Sequence, residues 1–187
     1  MAGWIIGIVV AIIVIGLVAA IVSNYNNMIR ARNEVNESFA NIDVALKKRY
    51  DLIPNLVNTV KGYAKHEKET LTQVIDSRNL AQKAETINEK VAAENQVNTC
   101  LRKVWALEER YPDLKADKNF LSLQESLSKM ETEIASYRQK YNGIATDFNT
   151  RIQVFPSNIL ASMFKFSKYE LFKIVDEKER ENVIVEF

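Results

Sequence analysis

From Trp4 to Val22 the chain is an unbroken apolar run, WIIGIVVAIIVIGLVAAIV, and from Val35 onward apolar residues recur at steps of three and four. At a rise of about 1.5 Å per residue the first pattern predicts a helix able to cross a hydrocarbon core of about 30 Å. A cleavable signal peptide is the rival reading. No basic segment precedes the run, its length exceeds the usual ~7–15 residues, and no small-x-small site follows, so a retained single-pass anchor is expected. Trp4 and Tyr25 flank the run where amphipathic rings favour the two headgroup interfaces. Gly3 and Gly7 form a Gly-x-x-x-Gly pair, read as ordinary membrane-helix composition rather than a pairing motif.

The second pattern is helical. Val35, Phe39, Ile42, Leu46, Tyr50, Ile53, Val57, Val60, Ala64, Leu71, Val74 and Arg78 form one stripe with a polar turn at Glu67. The stripe keeps its phase at Pro54, which predicts one long helix with a kink there, held by packing. A second helix is expected from about Ala84 to Arg110, ended by Tyr111-Pro112. Asp117 then caps a third, whose stripe from Phe120 through Leu127, Ile134, Tyr141 and Phe148 to Phe155 approaches a heptad seam. After Pro156, Ser157 or Asn158 caps a short helix in an aromatic segment, Ile159 to Phe172, interleaved with Lys165 and Lys168. That segment is read as core closing a bundle end, with a membrane-interface position as the alternative. A first helix continuing through Pro54 places it at the end away from the membrane.

The fold class is therefore all-α: an N-terminal transmembrane helix followed by an elongated antiparallel helical bundle with coiled-coil-like packing. Expected boundaries are 1–29 for the tail, anchor and juxtamembrane segment, 30–175 for the bundle and 176–187 for a charged, mobile tail in which Val183 to Val185 dock on a neighbour.

Composition sharpens this division. The 187 residues carry 25 basic and 24 acidic side chains, none before Arg30, so the net charge of +1 describes neither part. One Cys and one His exclude a disulfide framework and a Cys/His metal site. Near-neutral charge argues against nucleic acid as a partner, and Lys47-Lys48-Arg49, flanked by Asp43 and Asp51, reads as a solvated helix face. His66-Glu67 opens a zinc-protease-like pattern, but Thr70 stands where its second His belongs. Cys100 reads as a small buried residue, and the acid pairs Asp43/Asp51 and Glu108/Glu109 as solvated helix positions. No catalytic residue, cofactor or metal is expected. Among 17 Asn, Asn26 and Asn33 are seven apart, as are Asn142 and Asn149, each one position from an apolar stripe. Asn there either fixes assembly register or sits on a wet face.

Tyr25-Asn26, Arg32-Asn33-x-Val35, the run Ile42-Asp43-Val44-x-Leu46-Lys47-Lys48-Arg49-x-Asp51-Leu52-Ile53-Pro54-Asn55-Leu56-Val57 and Val60-Lys61-Gly62-Tyr63-Ala64-x-His66-Glu67 together resemble the LemA family of bacterial membrane proteins. Tyr111-Pro112-x-Leu114-Lys115-Ala116, Asn119-Phe120, Glu133-Ile134 with Arg138, Tyr141-Asn142, Phe148-Asn149 and Phe155-Pro156 extend the resemblance over nearly the whole chain. The chain departs from the family pattern at Phe39, where Trp is usual, and at Lys165-Phe166, where Gly-Phe is usual. The second departure bears on how the closing segment packs. The resemblance implies an N-terminal membrane helix on an antiparallel bundle, in bacterial envelope or internal membranes, without an agreed biochemical activity.

These readings converge on a non-enzymatic scaffold in the bacterial inner membrane. Its expected partners are the lipid bilayer and further copies of itself, assembled into a homo-oligomer that organises or shapes membrane. The alternative is an adaptor for another membrane protein, such as a protease or transporter. Arg30 and Arg32 follow the apolar run and no cation precedes it, which predicts the N-terminus outside and the domain in the cytoplasm.

Overall fold

With only Gly62 and Gly143 after the apolar run, the chain has little punctuation for strands and tight turns. The computed structural model describes residues 2–172, and all regular structure in that span is helical. Helix α1 covers Ala2–Tyr63, α2 Lys68–Ala81, α3 Ile87–Trp105, α4 Pro112–Lys115, α5 Lys118–Arg151 and α6 Ser157–Met163, with a 3₁₀ turn at Ala106–Glu109. The expected tail at 176–187 lies outside the described residues. Two compact units are distinguished: 2–39 with 140–170, and 40–139 with 171–172.

In the unit built on 40–139, α1 does continue through Pro54, but the helix expected to reach Arg78 ends at Tyr63. Residues 64–67 turn the chain, and α2 starts afresh after Glu67. Glu67 is held in that turn by the Tyr111 hydroxyl at 3.2 Å and by Arg110 at 3.1 Å. Four residues suffice for the reversal, and Ala64 and Leu71 remain buried on either side, so the apolar phase passes through it unmarked.

Pro54 is tolerated for a visible reason. Lacking an N–H, it leaves the Tyr50 carbonyl one helical turn earlier without its usual donor. Arg78 of α2 supplies one instead, its Nε donating to Tyr50 O at 3.2 Å. Helix α3 begins in a capping box: Glu89 N–H donates to Thr86 Oγ1 at 3.2 Å while Glu89 Oε2 accepts from Thr86 N–H at 3.0 Å. Asp117 caps α5 as expected, its Oδ1 accepting from Phe120 N–H at 2.8 Å. The core takes Ile53, Leu56 and Val60 from α1, Val97 and Val104 from α3, and Phe120 and Ile134 from α5. Leu56, rather than the expected Val57, is the buried member of its pair.

In the unit built on 2–39 and 140–170, α1 and α5 are antiparallel. Phe39 meets Tyr141, Asn27 O accepts from Arg151 Nη1 at 3.3 Å, and Asn24 Nδ2 donates to Ser157 Oγ at 3.1 Å. The aromatic segment therefore lies beside Tyr25, whose ring centroid is 4.5 Å from that of Phe164. This corrects the distal placement: the turn at 64–67 adds one reversal, so α5 runs back toward the apolar run. Ser157 and Asn158 do not cap α6 either. Pro156 occupies the cap position, and Ser157 is the first helical residue.

Phe148 anchors the closing segment through Phe166 and Tyr169, at centroid distances of 6.2 and 5.3 Å. Helix α6 ends in a Schellman arrangement, with Phe166 N–H donating to Ala161 O and Lys165 N–H to Ser162 O. Lys165 sits at φ 56°, the left-handed conformation that favours glycine. Phe155, placed in the third stripe by its spacing, is instead 80% exposed beyond the end of α5.

Candidate functional site

The first feature with functional content is the apolar part of α1. Residues 4–22 are exposed within their unit, Trp4 at 84%, although nearly all are apolar. The helix is long and apolar enough to cross a membrane, and it contains no Asp, Glu, Lys or Arg before Arg30. Of the two flanking aromatics, Trp4 stands free of the fold whereas Tyr25 is half-buried against Phe164 and Phe166.

The asparagines separate by environment. Asn26 and Asn33 are exposed on α1, while Asn142 and Asn149 are half-buried on α5. Asn149 is engaged inside the chain. Its Nδ2 donates to Tyr169 O and its Oδ1 accepts from Tyr169 N–H, both at 2.9 Å, pairing the closing segment with α5 as a neighbouring strand would. Tyr141 also holds that segment, its hydroxyl donating to Glu170 O at 2.9 Å, and burial pushes the phenol up to about 12.

The second feature, in the other unit, escaped sequence reasoning. Arg49 is not on a solvated face: it is 3% exposed and forms an ion pair with Glu94 of α3, which is 1% exposed. Arg49 Nη1 donates to Glu94 Oε2 at 2.7 Å, the Tyr50 hydroxyl donates to Glu94 Oε1, and Arg49 Nη2 donates to Asn98 Oδ1. Both carboxylate oxygens thus have a donor, as a buried charge requires. Burial, reinforced by the adjacent carboxylate, drives the Tyr50 phenol far above its ordinary value. Arg138 of α5 adds a second cation over the Phe172 ring, 5.2 Å from its centroid. Its Nε and Nη2 are buried without a hydrogen-bond partner, and burial pulls its pKa down.

The cluster joins α1 to α3 with Arg138 of α5 alongside, and its chemistry is cohesive. A sequence signal existed: Glu94 falls on the buried face of α3 between Val91 and Val97, where an apolar residue is expected.

The remaining candidates stay apart. His66 is exposed in the 64–67 turn. Cys100 is buried beside a groove of about 560 Å³ between α2 and α3. Asp43 pairs with Lys90 at 2.9 Å and Asp51 with Lys47 at 2.8 Å, while Glu108 and Glu109 lie in the 3₁₀ turn. Among the described residues, no three of His, Cys, Asp and Glu converge to hold a metal ion.

Comparison with known proteins agrees with the motifs. The sequence pattern of the LemA family matches residues 38–187. Protein LemA of Metamycoplasma hominis is 29% identical over 163 residues, covering 87% of this chain and 74% of that protein. Magnetosome protein MamQ of Magnetospirillum gryphiswaldense is 24% identical, covering 88% and 71%. Magnetosome protein MamQ 2 of Paramagnetospirillum magneticum is 23% identical, covering 86% and 68%. With the helical fold and the long apolar N-terminal helix already in place, the match over most of its length shows that this chain belongs to the LemA family.

Proposed function

We propose that this protein is a membrane-anchored helical scaffold, held by residues 4–22 and associating laterally with further copies of itself to organise or shape a bacterial membrane. The observation that carries the proposal is the continuity of α1, which passes from the exposed apolar stretch into the helical domain without leaving helical geometry. Copies anchored in one bilayer share its plane, so each weak lateral contact acts at high effective concentration. Asn26 and Asn33, exposed on α1, are the asparagines available for such contacts, since the Asn149 amide serves the closing segment. Relatives named for the magnetosome support a role tied to a cellular structure rather than to a soluble reaction. In the proposed orientation the domain is cytoplasmic, following Arg30 and Arg32.

Cross-linking in native membranes tests the proposal. A ladder made only of this chain, weakened by Asn26→Ala with Asn33→Ala, is expected. A strictly monomeric particle after mild extraction refutes self-association, and one dominant foreign band identifies an adaptor instead. Orientation is read with an impermeant thiol reagent on Glu131→Cys in a Cys100→Ser background, because Cys100 itself is buried.

A further inference from the structure

The structure assigns a second membrane contact to this chain: the turn and helix from Ile152 to Phe164, seated as an apolar wedge in the headgroup interface of an anionic bilayer beside the anchor. The assignment rests on residues 4–22 being the anchor. All residues that build the contact belong to the unit formed by 2–39 and 140–170.

Position is the first argument. The Asn24–Ser157 hydrogen bond and the Tyr25–Phe164 contact fix both ends of α6 to the first helical turn after Val22. Tyr25 lies three residues beyond Val22, about 5 Å along the helix axis. The headgroup zone on each side of the hydrocarbon core is itself roughly 5–8 Å deep. An element pinned at Asn24 and Tyr25 is therefore at interfacial depth whenever the apolar run spans.

Surface character is the second. Leu160 and Ala161 are buried against the fold, but Val154, Phe155, Ile159, Met163 and Phe164 are exposed. Helix α6 has seven residues, about 10 Å of length, too little to supply the roughly 800 Å² per partner of a stable protein interface. An interfacial helix needs no matching partner surface. It needs apolar side chains reaching roughly 5–10 Å into the headgroup and acyl boundary, with cations around them.

Charge is the third. Residues 23–33 and 148–169 contain five charged side chains, all basic: Arg30, Arg32, Arg151, Lys165 and Lys168. The fold joins the two stretches, with Arg32 lying 5.6 Å from the Phe166 ring centroid and Arg151 bonded to Asn27 O. The acids of this unit, Glu34, Glu37, Asp147 and Glu170, lie just beyond these stretches, on the side away from the apolar run. The basic excess next to the hydrophobic span matches the surface of a leaflet rich in acidic lipid. There each cation strengthens binding by roughly fivefold.

The test uses the full chain with Cys100→Ser and one environment-sensitive fluorophore on Ile159→Cys, Ile13→Cys or Glu131→Cys. It is reconstituted in phosphatidylcholine–phosphatidylglycerol vesicles carrying nitroxide-labelled lipid. Quenching is expected at Ile13 and at Ile159, the latter at least about twofold above Glu131. Lys165→Glu with Lys168→Glu should weaken seating more than roughly tenfold, abolishing quenching at Ile159 but not at Ile13. Quenching at Ile13 with Ile159 at the Glu131 level overturns the wedge and leaves the anchor standing. Quenching at neither overturns both. Blue-shifted emission at Ile159 without quenching means that protein covers the face, a second copy or another partner, and likewise overturns the assignment.

Discussion

Glu94→Gln isolates the charge of the buried cluster while keeping its shape. Glu94 accepts from Arg49 Nη1 through one oxygen and from the Tyr50 hydroxyl through the other. Glutamine offers one oxygen and one NH₂ group, so one of those two donors must face another donor. Arg49, 3% exposed, also loses its counter-ion while Arg138 still contributes positive charge nearby. Removing one partner of a buried ion pair costs about 3–5 kcal/mol. For a domain of this size each kcal/mol lowers the melting temperature by about 2–4 °C. Thermal melts of the full chain in one detergent at neutral pH, followed by far-ultraviolet circular dichroism, measure the loss. Arg49→Met with Glu94→Leu removes both charges and leaves the buried Tyr50 hydroxyl short of a partner, while the half-buried Asn98 amide can turn to water, a smaller penalty of about 1–3 kcal/mol. The double variant should therefore melt above Glu94→Gln. If Glu94→Gln melts within about 1 kcal/mol of the parent, or the double variant is the less stable, the ionic reading of this cluster is wrong.

Four further outcomes are expected. Arg78→Met should cost about 1 kcal/mol by leaving the Tyr50 carbonyl without its donor, and Pro54→Ala should erase that cost by restoring the helical one; equal losses in both backgrounds would refute the link. Lys165→Gly should stabilise by about 0.5–1 kcal/mol, because glycine takes the left-handed conformation without strain, and a lower melting temperature would contradict this. Asn149→Ala removes two hydrogen bonds to Tyr169 at about 1 kcal/mol each, so amide exchange at Tyr169 should accelerate ahead of that in α3. The Phe120 N–H and, second, the Tyr63 hydroxyl hold Asp117 below the usual carboxylate range. Its cap is thus fully present above the unfolded value of about 3.9 and lost as pH falls through the folded one. Protection of the Phe120 amide should fall with acidification in the parent and stay level in Asp117→Asn.

The elements legible in the sequence were those with a local signal. The apolar run, the Tyr111-Pro112 break and the Asp117 cap each announce themselves within a few residues. The turn at 64–67 does not, because burial resumes at Leu71 in a phase that an unbroken helix would also give. That single reversal decided where the aromatic segment lies. Arg49 was hidden differently: Lys47, Lys48 and Arg49 are alike in sequence, and only the approach of Glu94 from 45 positions away separates the buried one from the solvated two. Exposure of Phe155 likewise depends on α5 ending at Arg151, which its spacing alone does not foretell.

The absence of any break in α1 between Val22 and Phe39 has a mechanical consequence. If the apolar run crosses a bilayer, no hinge separates it from the helix that follows, so tilt imposed on one part is inherited by the other. Membrane helices tilt by about 20° on average, and tilt responds to the thickness of the surrounding bilayer. Seventeen residues at about 1.5 Å each give an arm of about 25 Å, which such a tilt swings sideways by roughly 9 Å at Phe39. Thinning or thickening of the lipid would then register as lateral displacement of the α1–α5 contact, a lever through which local membrane thickness reaches the folded part of the chain.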